Sequence, residues 1–142
     1  MDQVVEAQKN VAKTLYDNVV REYGKDCIVE FFSAGSVAES AARLVEVDGS
    51  VSAKVGGAER AGVAWHRLRN VMAECGGRGA WFSATARVTT DGRYSFHFDY
   101  DNEPSWRLRP LEETYLADLE NFPRPLDQIP TWHPGHPSRR PV

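Results

Sequence analysis

The sequence predicts an α+β fold: an antiparallel sheet of about five strands with two main helices on one face, a short third helix and an extended proline-rich C-terminal arm. Three observations predict it. Residues 82–100 alternate apolar and polar side chains around an Asp-Gly turn, and a second Asp-Gly turn at 48–49 lies between apolar segments, which is typical of β-hairpins. Two longer segments carry apolar residues at helical spacing. All eight prolines follow residue 103, so long regular elements are expected only before it.

The helices are predicted from the spacing of apolar residues. Residues 3–23 form the first, with Gly24 as its C-cap because glycine adopts the left-handed conformation at little cost. Residues 59–75 form the second, which ends at a run of glycines, and residues 111–120 form the short third. The apolar stripes are Val4, Val11, Leu15 and Val19 in the first helix, Ala64, Leu68, Val71 and Cys75 in the second, and Leu111, Tyr115 and Leu119 in the third.

Three strands are expected between the first two helices. Residues 27–33 are aromatic and β-branched, which favours a strand. Residues 37–47 are ambiguous, because their alanine, glutamate and arginine content suits a helix. Their last residues, however, lead into Asp48-Gly49 and then into the β-branched segment 51–55. We therefore predict a hairpin here and an element order of α-β-β-β-α-β-β-α.

The second hairpin spans residues 82–100, and its alternation fixes the register. A two-residue loop would set apolar Val88 against polar Ser95 and mix the two faces. A three-residue loop over residues 90–92, with Gly92 left-handed in a bulge, keeps one face apolar. The predicted pairs are Val88 with Tyr94, Ala86 with Phe96, Ala84 with Phe98 and Phe82 with Tyr100.

Length, charge and cysteine content restrict the class of protein. The 142 residues are expected to form one domain over residues 1–134, followed by a disordered tail over 135–142. The His133-Pro-Gly-His136 stretch at this boundary is expected to be disordered as well. A net charge of −3 argues against non-specific binding of nucleic acid. With no apolar run near 18 residues and a charged N-terminus, we expect neither a membrane span nor a signal peptide, and a cytoplasmic location. Cys27 and Cys75 are expected to be buried free thiols.

The residues that could carry chemistry lie on the polar face of the second hairpin. The register sets Ser83 opposite Asp99 and Thr85 opposite His97, so a small hydrolase using His97 and Asp99 is one alternative. No nucleophile elbow accompanies them, and solvated side chains on an open sheet are the preferred interpretation. The acids after Asp99 alternate as in a calcium loop, but Pro104 takes the position where such loops need glycine. No metal and no cofactor are expected.

An acidic and aromatic segment follows this hairpin. Between Asp99 and Glu120 there are seven acidic residues and two arginines, a local balance of −5, interleaved with Tyr100, Trp106 and Tyr115. Such a surface suits docking onto a basic partner, because charge speeds encounter and aromatic side chains anchor the complex. An acidic surface that only keeps the protein soluble, or a general adaptor domain, remains an alternative.

A set of mainly aromatic, acidic and proline residues in the stretch 78–133, roughly 40% of the chain, forms a recognisable pattern. They are Trp81, Asp91-Gly92-Arg93-Tyr94, Phe98-Asp99-Tyr100-Asp101, Glu103-Pro104, Trp106, Tyr115, Leu119, Phe122-Pro123-Arg124, Ile129-Pro130 and Trp132. In these residues the stretch resembles the C-terminal half of YezG-type immunity proteins, including their actinobacterial relatives. The resemblance implies a cytoplasmic antitoxin that binds a cognate protein toxin, often a nuclease, and occludes it without catalysis. We expect the partner-binding residues to be Arg87, His97, Asp99, Tyr100, Asp101, Glu103 and Trp106.

Overall fold

A computed structural model describes residues 2–139 of the chain. Helix α1 comprises α-helical Asp2–Leu15, a π-helical turn Tyr16–Val20 and a last turn Arg21–Tyr23. The strands are β1 (Asp26–Ala34), β2 (Val37–Val45), β3 (Val51–Val55), β4 (Ser83–Val88) and β5 (Tyr94–Asp99). Helix α2 (Gly62–Gly76) follows a 3-10 turn at Ala58–Ala61, and the short helix α3 is Glu112–Asn121. The predicted element order is confirmed, and the ambiguous segment 37–47 is a strand.

The five strands form one antiparallel sheet in the order β3-β2-β1-β4-β5. Tight turns join β1 to β2, β2 to β3 and β4 to β5, so neighbours in sequence are neighbours in the sheet. The α+β class is therefore confirmed. Gly24 ends α1 as predicted: its φ is +69° and its N–H donates to the Val20 carbonyl at 2.7 Å.

The predicted register of the β4–β5 hairpin is confirmed in three of its four apolar pairs. Val88 pairs with Tyr94, Ala86 with Phe96 and Ala84 with Phe98. Gly92 has a φ of +86°, and its N–H closes the loop onto the Thr89 carbonyl at 3.0 Å.

The fourth pair, Phe82 with Tyr100, is wrong because the strand contains a bulge. Ser83 is the ladder partner of Asp99, and the Phe82 N–H also donates to the Asp99 carbonyl at 2.9 Å. Two residues of one strand therefore face one residue of the other, which is a β-bulge. The bulge resets the alternation, so that Trp81 enters the main core and Phe82 enters a second cluster.

The main core lies between α1, α2 and one face of the sheet. Its centre is aromatic: the Phe31 ring stacks on Trp65 at 5.2 Å between centroids, and Trp81 meets both rings edge-on. Large buried aromatic rings contribute most of the apolar area that a core of this size can remove from water. The two main helices therefore pack on one face, as predicted.

A second cluster lies where α3 and the C-terminal segment meet the end of the sheet. Ala34, Phe82 and Tyr115 are its buried members, with Trp106 and Trp132 packed against them. In the C-terminal segment, Ile129 is buried, the Trp132 ring lies 5.0 Å from the Phe82 ring, and the Phe122 ring lies under the Arg69 guanidinium.

Three expectations about individual side chains are wrong. His133 is 1% exposed and packs on Phe82 and Tyr115, so it does not belong to a disordered tail. Gly135 is buried too, and residues 140–142 lie outside the described residues. Cys75 is exposed at the end of α2, whereas Cys27 is buried as expected, and both are free thiols. Leu111 is 69% exposed, because α3 begins only after it.

Candidate functional site

The face of the sheet opposite α1 and α2 carries most of the predicted site. Side chains that alternate with the core residues point to this face. Pairing across the strands arranges them in rows: His97, Thr85, Glu30 and Ala41 in one, Ser95, Arg87, Ile28, Arg43 and Lys54 in the next, and Asp99, Ser83, Phe32 and Glu39 in the third. Glu30, Lys54, Arg87, Ser95 and His97 are exposed, and the other residues of these rows are half-buried. The face is polar and is open to solvent over β4 and β5.

Charge is divided along this face. Arg43, Lys54 and Arg87 share one row, whereas Asp99 and Glu39 share the row nearest the acidic loop. Arg87 lies 4.0 Å from Asp26, an exposed pair that solvent screens. The face therefore presents a basic end and an acidic end.

The predicted acidic loop, residues 99–106, is held by its own hydrogen bonds. The Asp99 carboxylate accepts the N–H groups of Asp101 and Asn102 at 2.9 and 3.0 Å, and the Asn102 side-chain amide at 3.1 Å. Desolvation raises the pKa of Asp99, but the hydrogen bonds from Asn102 and Asp101 outweigh it and lower the pKa below its usual value. Asp99 thus fixes the start of the loop.

Tyr100 is buried rather than exposed to solvent. Its ring lies under the Arg78 guanidinium, 3.7 Å from the ring centroid, and Arg124 lies 5.8 Å away. Arg124 also donates to the carbonyls of Ala80 and Gln128. The tyrosine is therefore a packing residue that connects the loop to the C-terminal segment.

Glu103 and Trp106 are joined through Tyr115 of α3. The Trp106 indole N–H donates to the Tyr115 hydroxyl at 2.7 Å, and that hydroxyl donates to Glu103 at 3.0 Å. Arg109 pairs with the same carboxylate at 2.6 Å. Desolvation raises the pKa of Tyr115, so it stays a neutral donor. Glu103 therefore acts inside the fold, and Asp101 is the most exposed acid of the loop.

A cavity of about 640 Å³ lies between this loop and the C-terminal segment. Arg78, Asp101, Arg124 and Asp127 place two positive and two negative groups around it, beside Tyr100 and Trp132. The Trp132 indole N–H donates to the Asp101 carbonyl at 2.7 Å and holds one wall to the loop.

A buried ion pair between α2 and α3 was not predicted from the sequence. Arg69 of α2 and Asp118 of α3 form two hydrogen bonds of 2.7 and 2.9 Å, with side chains 2% and 5% exposed. Arg69 also donates to the Trp81 carbonyl, and Asp118 accepts the Gly35 N–H. One signal was available: Arg69 lies four residues after Trp65, within the apolar stripe of its helix.

The histidine and carboxylate of the alternative hydrolase lie on β5 two residues apart. All the hydrogen bonds described for the Asp99 carboxylate come from its own loop, so it does not orient His97 as a catalytic triad requires. Within residues 2–139 no group of three or more His, Cys, Asp or Glu side chains is arranged to hold a metal ion. None of the helices in this range is both long and apolar enough to span a bilayer.

Comparison with known proteins adds no relative, since no family model and no curated protein sequence matches the chain.

Proposed function

We propose that this chain is an immunity protein that binds a cognate secreted bacterial toxin in the cytoplasm and neutralises it by occlusion. The observation that carries the proposal is the open polar sheet face beside a rigid acidic and aromatic loop. A binding surface of this kind needs shape and charge rather than a reacting group. The resemblance of residues 78–133 to YezG-type immunity proteins supports the same function.

Rigidity of the loop favours binding. Asp99 holds one end, and the contacts of Glu103 and Trp106 with Tyr115 hold the other. Ordering a flexible loop at an interface costs free energy for each immobilised side chain, and a loop that is already ordered avoids that cost. These residues then contribute by presenting Asp101 and the sheet face in one arrangement.

The exposed charge suits a nuclease domain as the toxin. Of the seven acids counted in residues 99–120, Asp118 is buried in an ion pair and Asp99 and Glu103 are engaged within the fold. Asp101, Glu112, Glu113 and Glu120 are exposed. A nuclease holds phosphates in a positive groove, which an acidic surface complements.

Association kinetics with a toxin domain encoded by a gene adjacent to this one would test the proposal. Asp101→Lys is expected to slow association about tenfold at low salt and to reduce its dependence on salt, since steering by charge changes the on-rate. Glu6→Lys in α1 makes the same charge change at an exposed position away from the site and is expected to leave the rate unchanged. Glu103→Lys is a poorer probe, because it also breaks the Tyr115 contacts.

Equal association rates for Asp101→Lys and Glu6→Lys would show that the loop is not part of the interface. A partner that does not co-purify with the chain would contradict the immunity function itself. Hydrolysis of generic ester or phosphodiester substrates, abolished by His97→Ala, would replace it with the enzyme alternative.

A further inference from the structure

Strand β5 leaves a complete row of backbone groups free at the edge of the sheet. The Thr89 N–H donates to the Arg93 carbonyl, which sets the alternation of the hairpin. Because hydrogen-bonded pairs recur at every second residue, the backbone N–H and C=O groups of Ser95, His97 and Asp99 point toward β4. The N–H and C=O groups of Tyr94, Phe96 and Phe98 therefore point outward. Within residues 2–139 no backbone hydrogen bond outside the sheet reaches them.

The opposite edge of the sheet is protected, and this one is not. Strand β3 is five residues long, carries Lys54 and has an irregular register against β2, which are all features that discourage further pairing. Strand β5 is six residues long and contains neither lysine nor proline. It pairs with β4 in one register from Tyr94 to Asp99, and the bulge at Phe82 and Ser83 lies on the neighbouring strand. Its helix-side row is aromatic, with Tyr94 41% exposed and Phe96 and Phe98 half-buried.

We propose that the occupant of this edge is a second copy of the chain, which adds its own β5 in antiparallel orientation with Phe96 opposite Phe96 of the second copy. The two five-stranded sheets then form one continuous sheet. This inference goes beyond the proposed function and does not depend on it.

The register follows from the side chains. Pairing centred on Phe96 sets Tyr94 opposite Phe98 of the second copy, so the aromatic row continues on the helix side. On the polar face Ser95 meets His97 of the second copy, and Arg93 meets Asp99 of the second copy, which gives an opposite-charge pair twice over. A register centred on His97 sets the two histidines against each other and moves Arg93 opposite Asp101, which lies beyond the end of the strand.

The backbone agrees with the same register. The residues that pair directly across the interface, Tyr94, Phe96 and Phe98, are those whose amide and carbonyl groups point outward. Ser95 and His97 of the second copy form a non-hydrogen-bonded pair, whose Cα atoms lie about 4.5 Å apart in antiparallel sheets. That separation permits a disulfide.

Light scattering and cross-linking test the dimer and its register. The wild-type chain is expected to show twice its 15.9 kDa mass at high concentration. Arg93→Glu is expected to raise the dimer dissociation constant about tenfold, equivalent to about 1.4 kcal/mol, because it sets like charges together. Arg60→Glu makes the same change at an exposed residue away from the edge and serves as the control.

For the register, Cys75→Ser removes the exposed thiol, and Ser95→Cys and His97→Cys are made separately in that background. A mixture of the two variants is expected to form a disulfide-linked dimer, whereas neither does so alone. A single-chain mass at every concentration, or cross-linking of His97→Cys alone, would overturn the proposal. Toxin binding by a monomeric chain would leave the proposed function intact.

Discussion

Replacing Asp118 by alanine removes one half of the buried ion pair that connects α2, α3 and the β1–β2 turn. The Arg69 guanidinium then stays buried with only the Trp81 carbonyl as a hydrogen-bond acceptor, and the Gly35 N–H loses its partner. Leaving one member of such a pair uncompensated costs about 3–5 kcal/mol. That is a large part of the ~5–15 kcal/mol by which a domain of this kind is stable.

Removing both charges separates the energy of the pair from the cost of a lone charge. Arg69→Met with Asp118→Leu leaves no buried charge, and the remaining penalty is the two unpaired backbone groups, about 1–3 kcal/mol each. We therefore expect the double variant to be more stable than Asp118→Ala and the two single changes to be non-additive by at least about 1 kcal/mol.

Urea unfolding followed by tryptophan fluorescence measures these free energies, because Trp81 lies beside the pair. Glu46→Ala is the matched control: it breaks the Lys25–Glu46 pair, whose side chains are 45% and 36% exposed, and is expected to cost about 0–1 kcal/mol. If Asp118→Ala costs no more than Glu46→Ala, the buried pair does not hold these elements together.

Three further outcomes are expected. Burial lowers the pKa of His133 from its ordinary 6.5 to about 4. On acidification the imidazole therefore binds a proton in the unfolded chain at a higher pH than in the folded chain. The free energy of unfolding should therefore fall as pH drops from about 6.5 to 4, by up to about 3 kcal/mol, and His133→Asn should flatten that slope in urea titrations at each pH. Burial raises the pKa of Cys27 to about 11, so a thiol reagent should label the native chain once, at exposed Cys75, and the unfolded chain twice; two rapid labels in the native chain would contradict the burial. Tyr115→Phe removes two hydrogen bonds and should cost about 1–3 kcal/mol in urea unfolding, whereas Tyr23→Phe, at an exposed position, should change little.

Most of the sheet could be predicted from the sequence because its registers are set locally. The alternation around Asp91-Gly92 allows only one loop length that keeps the apolar face intact, and the structure has that loop. The β2–β3 hairpin is predicted from Asp48-Gly49, although its register shifts between Arg43 and Val45. The apolar stripes likewise placed both long helices to within a few residues.

The features that could not be predicted depend on residues far apart in sequence. Asp118 was counted as surface charge because its partner Arg69 is 49 positions away and belongs to another element. His133 was expected in a disordered tail because prolines and a glycine lie close to it in sequence. The rings that bury it, Phe82 and Tyr115, are distant in sequence. Of the predicted site residues, the structure places Tyr100, Glu103 and Trp106 in internal contacts, since their partners lie in α3 and the C-terminal segment.

The bulge at Phe82 and Ser83 means that the attachment of the C-terminal segment depends on the length of one strand. Because of the extra residue, the adjacent side chains of Trp81 and Phe82 pack in different clusters, Trp81 in the main core and Phe82 in the second cluster. Deleting one codon at this point would return both rings to a simple alternation and withdraw the phenylalanine from beneath Trp132 and His133. A related protein that lacks the codon would therefore need another way to seat its last twenty or so residues.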